Sequence, residues 1–134
     1  MKYLAIILCF LIAGCYSNEP VRNMKDLDQS MMDLKIYQQN LGEYIQQGKL
    51  EDGEWLLDGL DSILQTVSMT ITEHHRLKRP FSYYHSRLLE KPVEGLHKAF
   101  KKNDTALARR QYFILVDKCN KCHIDNEIDK TVEY

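Results

Sequence analysis

The strongest constraint on the fold of this 134-residue chain is the recurrence of apolar residues at intervals of three and four positions. This spacing places side chains on one face of an α-helix, and no segment shows the alternating pattern of a β-strand. Four such stripes follow one another with short connections, which predicts an all-α, antiparallel up-down-up-down four-helix bundle. The stripe residues are Met24, Leu27, Met31, Leu34, Leu41 and Ile45; Leu56, Leu60, Ile63, Val67 and Ile71; Val93, Leu96, Ala99 and Phe100; and Ala108, Tyr112, Leu115, Cys119 and Cys122.

Residues with special backbone preferences set the predicted ends of these helices. Gly48 is expected to stop the first helix, because glycine adopts the left-handed conformation that is common at helix C-termini. The pair Asn103-Asp104 is expected to cap the fourth helix. Pro92 either kinks a third helix that begins near Ser82 or opens a shorter one. The predicted bounds of the first two helices are about Pro20 to Gln47 and about Glu51 to Leu77.

The first 20 residues have the character of an export segment with an anchor. The apolar run Tyr3–Ala13 follows a positively charged start and is too short to span a bilayer. The stretch Leu11-Ile12-Ala13-Gly14-Cys15 resembles the lipobox of bacterial lipoproteins, in which the cysteine is acylated and becomes the mature N-terminus. Cleavage by ordinary signal peptidase nearby, with Cys15 as a spare thiol, is the alternative. The lipobox implies a signal peptide over residues 1–14, lipidation of Cys15, a tether over residues 15–20 and a folded domain over residues 21–134.

Export and charge together narrow the location and the partners. A lipid-anchored chain of this kind lies in the bacterial cell envelope and faces the periplasm. Tyr16 stands where an aspartate acts as a retention signal in some bacteria, which favours the outer membrane. The 18 Lys and Arg residues nearly balance the 19 Asp and Glu residues, so there is no basic field to attract nucleic acid.

The segment Cys119-Asn120-Lys121-Cys122-His123 carries the chemistry of the sequence. C-x-x-C-H is the attachment signature of c-type haem: the two thiols add across the vinyl groups, and the imidazole is an axial iron ligand. The sequence therefore predicts one covalent haem c, and the shared face of the three side chains with the apolar stripe predicts that it lies inside the bundle. A thioredoxin-like site normally accompanies a βαβ pattern, and a zinc site needs a second pair of ligands. A surface disulfide beside an incidental histidine is the remaining alternative.

A late C-x-x-C-H on the last of four helices resembles the cytochrome c prime family and its low-spin relatives. The resemblance covers roughly residues 20–127, and it includes Gln47-Gly48-Lys49 at the end of the first helix and Leu96-x-x-Ala99 before Asn103-Asp104. It implies a monohaem cytochrome. Family members often dimerise through their first two helices, so the resemblance leaves a homodimer open. The chain departs from the family at Ile124-Asp125, where an aromatic and a basic residue are usual, so pairing with a haem propionate is not implied.

The residue at the sixth position of the iron separates two functions. Met31 is the first candidate because it lies on the apolar stripe near the haem end of the first helix, and Met24 and Met32 are the alternatives. Ligation by methionine and histidine raises the reduction potential, which suits an electron carrier with redox partners in the envelope. A distal face that presents only Leu34 or Leu27 would instead leave a five-coordinate iron, like that of the family members that bind nitric oxide or carbon monoxide.

Two further features of the sequence bear on the haem. His74 continues the stripe of the second helix at the haem end, as an iron ligand, a propionate partner or a histidine at the edge of the core. The sequence shows no acid–base constellation beside an open haem. We therefore expect a carrier or haem-binding protein without catalytic residues, and not an enzyme.

Overall fold

The computed structural model describes residues 26–134, which fold into helices joined by short connections. No β-strand occurs within this range, so the all-α prediction is confirmed there. The predicted signal peptide, the tether with Cys15, and Met24 lie outside the described residues. Between residues 26 and 134, no helix combines the length and the apolar character needed to cross a membrane. The helices are α1 (Leu27–Gln47), α2 (Leu50–Thr70), α3 (Phe81–Tyr84), a π-helical segment (His85–Leu89), α4 (Glu90–Lys101) and α5 (Thr105–Asp125).

α1 and α2 pair extensively as an antiparallel hairpin. Gly48 ends α1 with a φ angle of 72°, and its N–H donates to the carbonyl of Ile45 over 3.1 Å. The predicted stop at Gly48 is therefore confirmed, because this left-handed conformation is easily reached by glycine. A side chain at Gly59 would overlap the ring of Tyr37, so this second glycine allows the two helices to approach closely.

α1 begins later than the sequence predicts. Asp26 has a ψ angle of 144°, which places its backbone outside the helix, and its carbonyl accepts the N–H of Ser30 over 3.0 Å. The prediction of one helix running from about Pro20 is therefore wrong at Asp26. Pro20 itself lies outside the described residues.

α2 ends at Thr70, so the predicted end near Leu77 is also wrong. The hydroxyls of Thr66 and Thr70 each donate to the carbonyl four residues earlier, over 2.8 and 2.7 Å, which weakens a helix locally. The run of β-branched residues from Thr70 to Thr72 lowers helix propensity further. At Ile71 the ψ angle becomes 82°, and the chain leaves the helix.

Residues 71–80, the connecting loop, lead from α2 to α3. The loop is closed by the N–H of Phe81, which donates to the carbonyl of Ile71 over 3.4 Å. His74 consequently lies on this loop and not on the stripe of α2.

The third predicted helix is a helical run that contains a wide turn. It begins at Phe81, which matches the alternative that starts near Ser82. The N–H of Glu90 donates to the carbonyl of His85, five residues earlier, as is typical of a π-helix. Pro92 follows in α4. Because a proline ring conflicts with the carbonyl four residues before it, the wide turn gives this proline room inside the run.

The core lies between the α1–α2 pair and the α4–α5 pair and is almost entirely aliphatic. Gln38, the polar residue within the first stripe, is also buried. Its amide is satisfied there, because it donates to the hydroxyl of Tyr112 and to the carbonyl of Glu133. Asp104 caps α5 as predicted, since its carboxylate accepts the N–H of Leu107 over 2.9 Å. Every stripe residue in the described range is buried or packs against the core, with Met31, Leu34, Ile63, Phe100 and Cys119 only partly buried.

Candidate functional site

The last two turns of α5 bring Cys119, Cys122 and His123 together. Cys122 is 7% exposed, and Cys119 is partly buried and packs against the apolar core. Both residues are free thiols, so the disulfide that the sequence left as an alternative is not formed between them.

Burial keeps both thiols protonated at neutral pH. Loss of solvent raises the pKa of Cys119 from 9.0 to about 12, and the neighbouring Cys122 acts in the same direction. Burial likewise raises the pKa of Cys122 from 9.0 to about 11, reinforced by the carboxylate of Asp125. The amide of Asn126 opposes this second shift, because its Nδ2 donates to the Cys122 sulfur over 3.6 Å.

The ring of His123 is held by the backbone. Its Nδ1 lies 2.7 Å from the carbonyl oxygen of Lys130, so Nδ1 carries the proton and donates it. In neutral imidazole the other nitrogen, Nε2, then carries the lone pair. Among residues 26–134 no hydrogen bond engages this Nε2. His123 is partly buried, and this hydrogen bond fixes the orientation of its ring on the same turn of α5 as Cys122.

The chain beyond α5 folds back along that helix. Glu127 has a φ angle of 58°, and the N–H of Ile128 donates to the carbonyl of His123 over 2.9 Å, which closes the turn. Asn120 then engages both backbone groups of Val132: its Nδ2 donates to the carbonyl over 3.0 Å, and its Oδ1 accepts the N–H over 2.7 Å. Residues 128–134, the tail, therefore lie against the face of α5 that carries His123.

Asn126 joins the end of α5 to the connecting loop. Its Oδ1 accepts the backbone N–H of Lys78 over 2.7 Å and the hydroxyl of Tyr84 over 3.0 Å. Its Nδ2 donates to the carbonyl of Cys122 over 2.8 Å. The lysine side chain also pairs with the carboxylate of Glu127, which lowers the pKa of that acid. The loop is thereby fixed beside Cys122.

The connecting loop forms an open surface pocket of about 650 Å³, lined by residues 72–75 and 77–80. His74 lies at this pocket, but both of its ring nitrogens are engaged. Its Nε2 lies 3.3 Å from a carboxylate oxygen of Asp26, and its Nδ1 accepts the N–H of Arg76 over 3.2 Å. This arrangement is that of a hydrogen-bonded histidine at the edge of the protein. It leaves neither nitrogen available to a metal without rearrangement.

The candidates for the sixth ligand differ in their surroundings. Met31 is partly buried and packs against the core, whereas Met32 is 62% exposed. Leu27 is buried beside Met31 on the stripe, and Leu34 packs against the same core. α1 packs less extensively against α5 than against α2. The structure thus unites the cysteines with His123 on one helix and places the methionines on another.

Three residues of this site were not found from the sequence. Asn120 and Asn126 hold the tail and the loop, and Lys130 contributes only its backbone carbonyl. A polar residue at an x position of the motif and an asparagine just after a helix give a weak signal for such roles. A backbone carbonyl gives none, because every residue has one.

The comparisons with known proteins identify no family. Searches against family models, curated proteins and solved structures give no match for this chain. Within the part of the chain that the structure describes, no group of three or more His, Cys, Asp or Glu side chains is arranged to hold a metal ion.

Proposed function

We propose that this protein is a c-type monohaem cytochrome that carries electrons in the bacterial cell envelope. Cys119 and Cys122 would hold one haem c covalently, and His123 would be the axial ligand of its iron. The observation that carries this proposal is the hydrogen bond from Nδ1 of His123 to the carbonyl of Lys130, which orients the ring through Nδ1 on the same helix as two free cysteines.

The state of His123 suits an iron ligand. A ligating histidine commonly donates its second ring N–H to a carbonyl or carboxylate, which fixes the tautomer and raises the basicity of the ligating nitrogen. The carbonyl of Lys130 supplies this partner at 2.7 Å. The bound haem would supply a one-electron iron couple, whose potential depends on the axial ligands and the burial of the group.

The state of the cysteines suits thioether formation. On a bound haem, Cys119 and Cys122 would each add an S–H group across a vinyl double bond, with the sulfur on one carbon and the hydrogen on the other, so that no oxidant would be needed. Both sulfurs are free, with no disulfide between them. They also stand three positions apart on one helix, as the motif requires.

The wider proposal includes the fold, the anchor and the sixth ligand. The two helical pairs support an up-down-up-down bundle with the haem motif at the C-terminal end. Lipid on Cys15 would tether the domain at the membrane surface on the periplasmic side. Met31 would be the sixth ligand, with Met24 and Met32 as alternatives, and this low-spin state suits electron transfer between redox partners of the envelope. The protein would have no catalytic residues.

The alternative proposal is a five-coordinate haem protein that binds nitric oxide or carbon monoxide, as the resemblance to cytochrome c prime implies. The observation that favours it is the packing of Met31 against the core, flanked on its stripe by Leu27 and Leu34. If these side chains stay packed, the distal face of the iron is aliphatic and carries no sixth ligand.

An optical spectrum of the exported, purified protein tests the proposal. We expect a c-type pyridine haemochrome in the wild type, and loss of covalent haem in the double variant Cys119→Ala/Cys122→Ala. His123→Ala should change the spin state, whereas the matched variant His85→Ala, on the π-helical segment, should not. A wild-type protein without a c-type band would contradict the proposal.

The same preparation separates the two functions. With Met31 as ligand, ferric wild-type protein shows the near-infrared band of methionine ligation, and Met31→Ala loses it. The exposed Met69 on α2 provides the matched control, Met69→Ala, which should keep the band. Rapid binding of carbon monoxide by the ferrous wild type would instead favour the five-coordinate alternative.

Labelling with a radioactive fatty acid tests the anchor. Wild-type protein should take up the label and fractionate with membranes, and Cys15→Ser should do neither. A soluble, unlabelled wild-type protein would contradict lipidation of Cys15.

A further inference from the structure

Three contacts fix the tail to α1 and α5. The amide of Asn120 on α5 makes both hydrogen bonds to Val132, in the manner of a neighbouring β-strand. The amide of Gln38 on α1 donates to the carbonyl of Glu133 over 2.9 Å. At the end of the chain, the ring of Tyr134 lies 4.9 Å from that of Phe113. A segment held at three successive residues places its preceding carbonyl, that of Lys130, in a defined position.

Asn120 is suited to this role by its chemistry. Its amide offers N–H donors and a carbonyl acceptor in one plane, and one of each matches the C=O and N–H of Val132. A carboxylate lacks the donor, and an apolar side chain lacks both. The bonds of 2.7 and 3.0 Å are partly buried, so their loss would leave backbone groups of the tail without partners.

We propose that Asn120 is a positioning residue for the haem iron, acting through the tail. It holds Val132, the tail then holds the carbonyl of Lys130, and that carbonyl orients His123 through Nδ1. The tail thus covers the face of α5 that carries His123 and keeps its ring in place. This inference rests on the proposed function, because it assigns the effect to the iron ligand.

Release of the tail is expected to change the reduction potential of the iron. When Nδ1 loses its carbonyl acceptor, Nε2 becomes a weaker electron donor, and the ferric state loses stabilisation relative to the ferrous state. The midpoint potential should therefore rise. A role for Asn120 in folding alone would not move the potential of protein that still folds and holds its haem.

The test compares Asn120→Ala with Asn40→Ala in the full-length holoprotein. Asn40 is an exposed asparagine on α1 whose amide bonds only to the carbonyl of Ile36, so it controls for the loss of an asparagine. We expect Asn120→Ala to raise the midpoint potential and to speed removal of the tail by carboxypeptidase at least tenfold, while Asn40→Ala changes neither. A variant truncated after Glu127 should show the same direction of shift, and Asn120→Ala should add nothing in that truncated chain.

Failure of the inference is distinguishable from failure of the proposed function. Wild-type protein without covalent haem would overturn the proposed function and with it the role toward iron. Holoprotein in which Asn120→Ala leaves the potential unchanged would overturn the inference alone. So would a shift of the Asn120→Ala potential with the tail still protected, or a further shift caused by Asn120→Ala in the truncated chain, because neither effect would act through the tail. If Asn120→Ala does not fold, the truncated protein decides: an unchanged potential overturns the inference.

Discussion

The α1–α2 hairpin and the C-terminal end of α5 are held by different forces. The hairpin is closed by Gly48 and stabilised by buried aliphatic side chains such as Leu41, Ile45 and Leu57. The end of α5 is held by side-chain hydrogen bonds from Asn120 and Asn126 to the tail and the connecting loop. The stability of the hairpin depends on buried apolar area, and this contribution does not require particular bond directions. The end of α5 depends on particular atoms at particular distances.

This difference explains where the candidate site lies. Aliphatic packing gives rigidity but offers no lone pair, proton or thiol for chemistry. At the end of α5, hydrogen bonds orient His123 and the loop, while burial keeps Cys119 and Cys122 as neutral thiols. The hairpin acts as a scaffold, and the polar end presents the reactive groups.

The largest effect on the free energy of unfolding is expected from a substitution in the hairpin. Leu57→Ala removes a side chain with 0% exposure and should lower the free energy of unfolding by about 2–5 kcal/mol. Ile36→Ala on α1, at a residue that is 58% exposed, should change it by about 0.5 kcal/mol or less. Urea unfolding followed by circular dichroism measures both. Equal effects of the two variants would show that the hairpin is not held by core packing.

The next effect concerns the thiols of haem-free protein. Folding raises their pKa values from 9.0 to about 11 and 12, so the folded state keeps protons that the unfolded chain releases. Their contribution to stability is therefore present below about pH 9 and is lost as the pH rises through 11 and 12. The thiolate is the nucleophile, so alkylation by iodoacetamide at pH 8 should be about a hundredfold slower than after unfolding. Equal rates would contradict burial of the sulfurs.

A smaller effect is expected at the polar end. Asn126→Ala removes the acceptor of Lys78 and Tyr84 and should cost about 1–3 kcal/mol in unfolding free energy, because these donors lose their partner. Asn40→Ala, which loses only one exposed local bond, should be close to neutral. The contrast between regions would be sharpened if the connecting loop also becomes sensitive to trypsin. If Asn126→Ala is as neutral as the control, the loop is held by other contacts.

The smallest effect belongs to the cap of α5. Asp104→Ala removes the acceptor for the N–H of Leu107 and should cost about 1 kcal/mol. Asp104→Asn keeps an oxygen acceptor and should cost much less. Thermal unfolding of the two variants checks the order. A larger loss in the asparagine variant would indicate that charge, and not the hydrogen bond, matters at this cap.

The sequence predicted which helix faces are packed and two of the helix ends, but not where α1 begins or α2 ends. The stripes, the stop at Gly48 and the cap at Asp104 follow from residue type and spacing, and the structure confirms them. The predicted end of α2 near Leu77 was wrong because apolar spacing continues past Thr70, while hydroxyl bonding and β-branched residues end the helix there. The spacing of apolar residues alone does not show that hydroxyl bonding and β-branched residues oppose the helix at Thr70.

The sequence predicted which residues of the candidate site lie together, but not the contacts that support them. Cys119, Cys122 and His123 share the end of one helix because the motif fixes their spacing, and their role as haem attachment and iron ligand stays a prediction. The carbonyl of Lys130 and the tail that carries it were not predicted, since backbone atoms have no sequence signature and the tail lacks a periodic pattern. The sixth ligand also stays a prediction. Met31 was chosen for its position along the apolar stripe of α1, and only contacts at the iron would distinguish it from Met24 and Met32.

The most direct test of the account is the intact mass of the exported protein after denaturation and acid extraction of loosely bound haem. The account predicts that each chain keeps the mass of one haem, and that peptide mapping places it on the segment with Cys119 and Cys122. Haem that is extracted completely, or a chain whose two thiols are both still free to alkylation, would contradict the central claim.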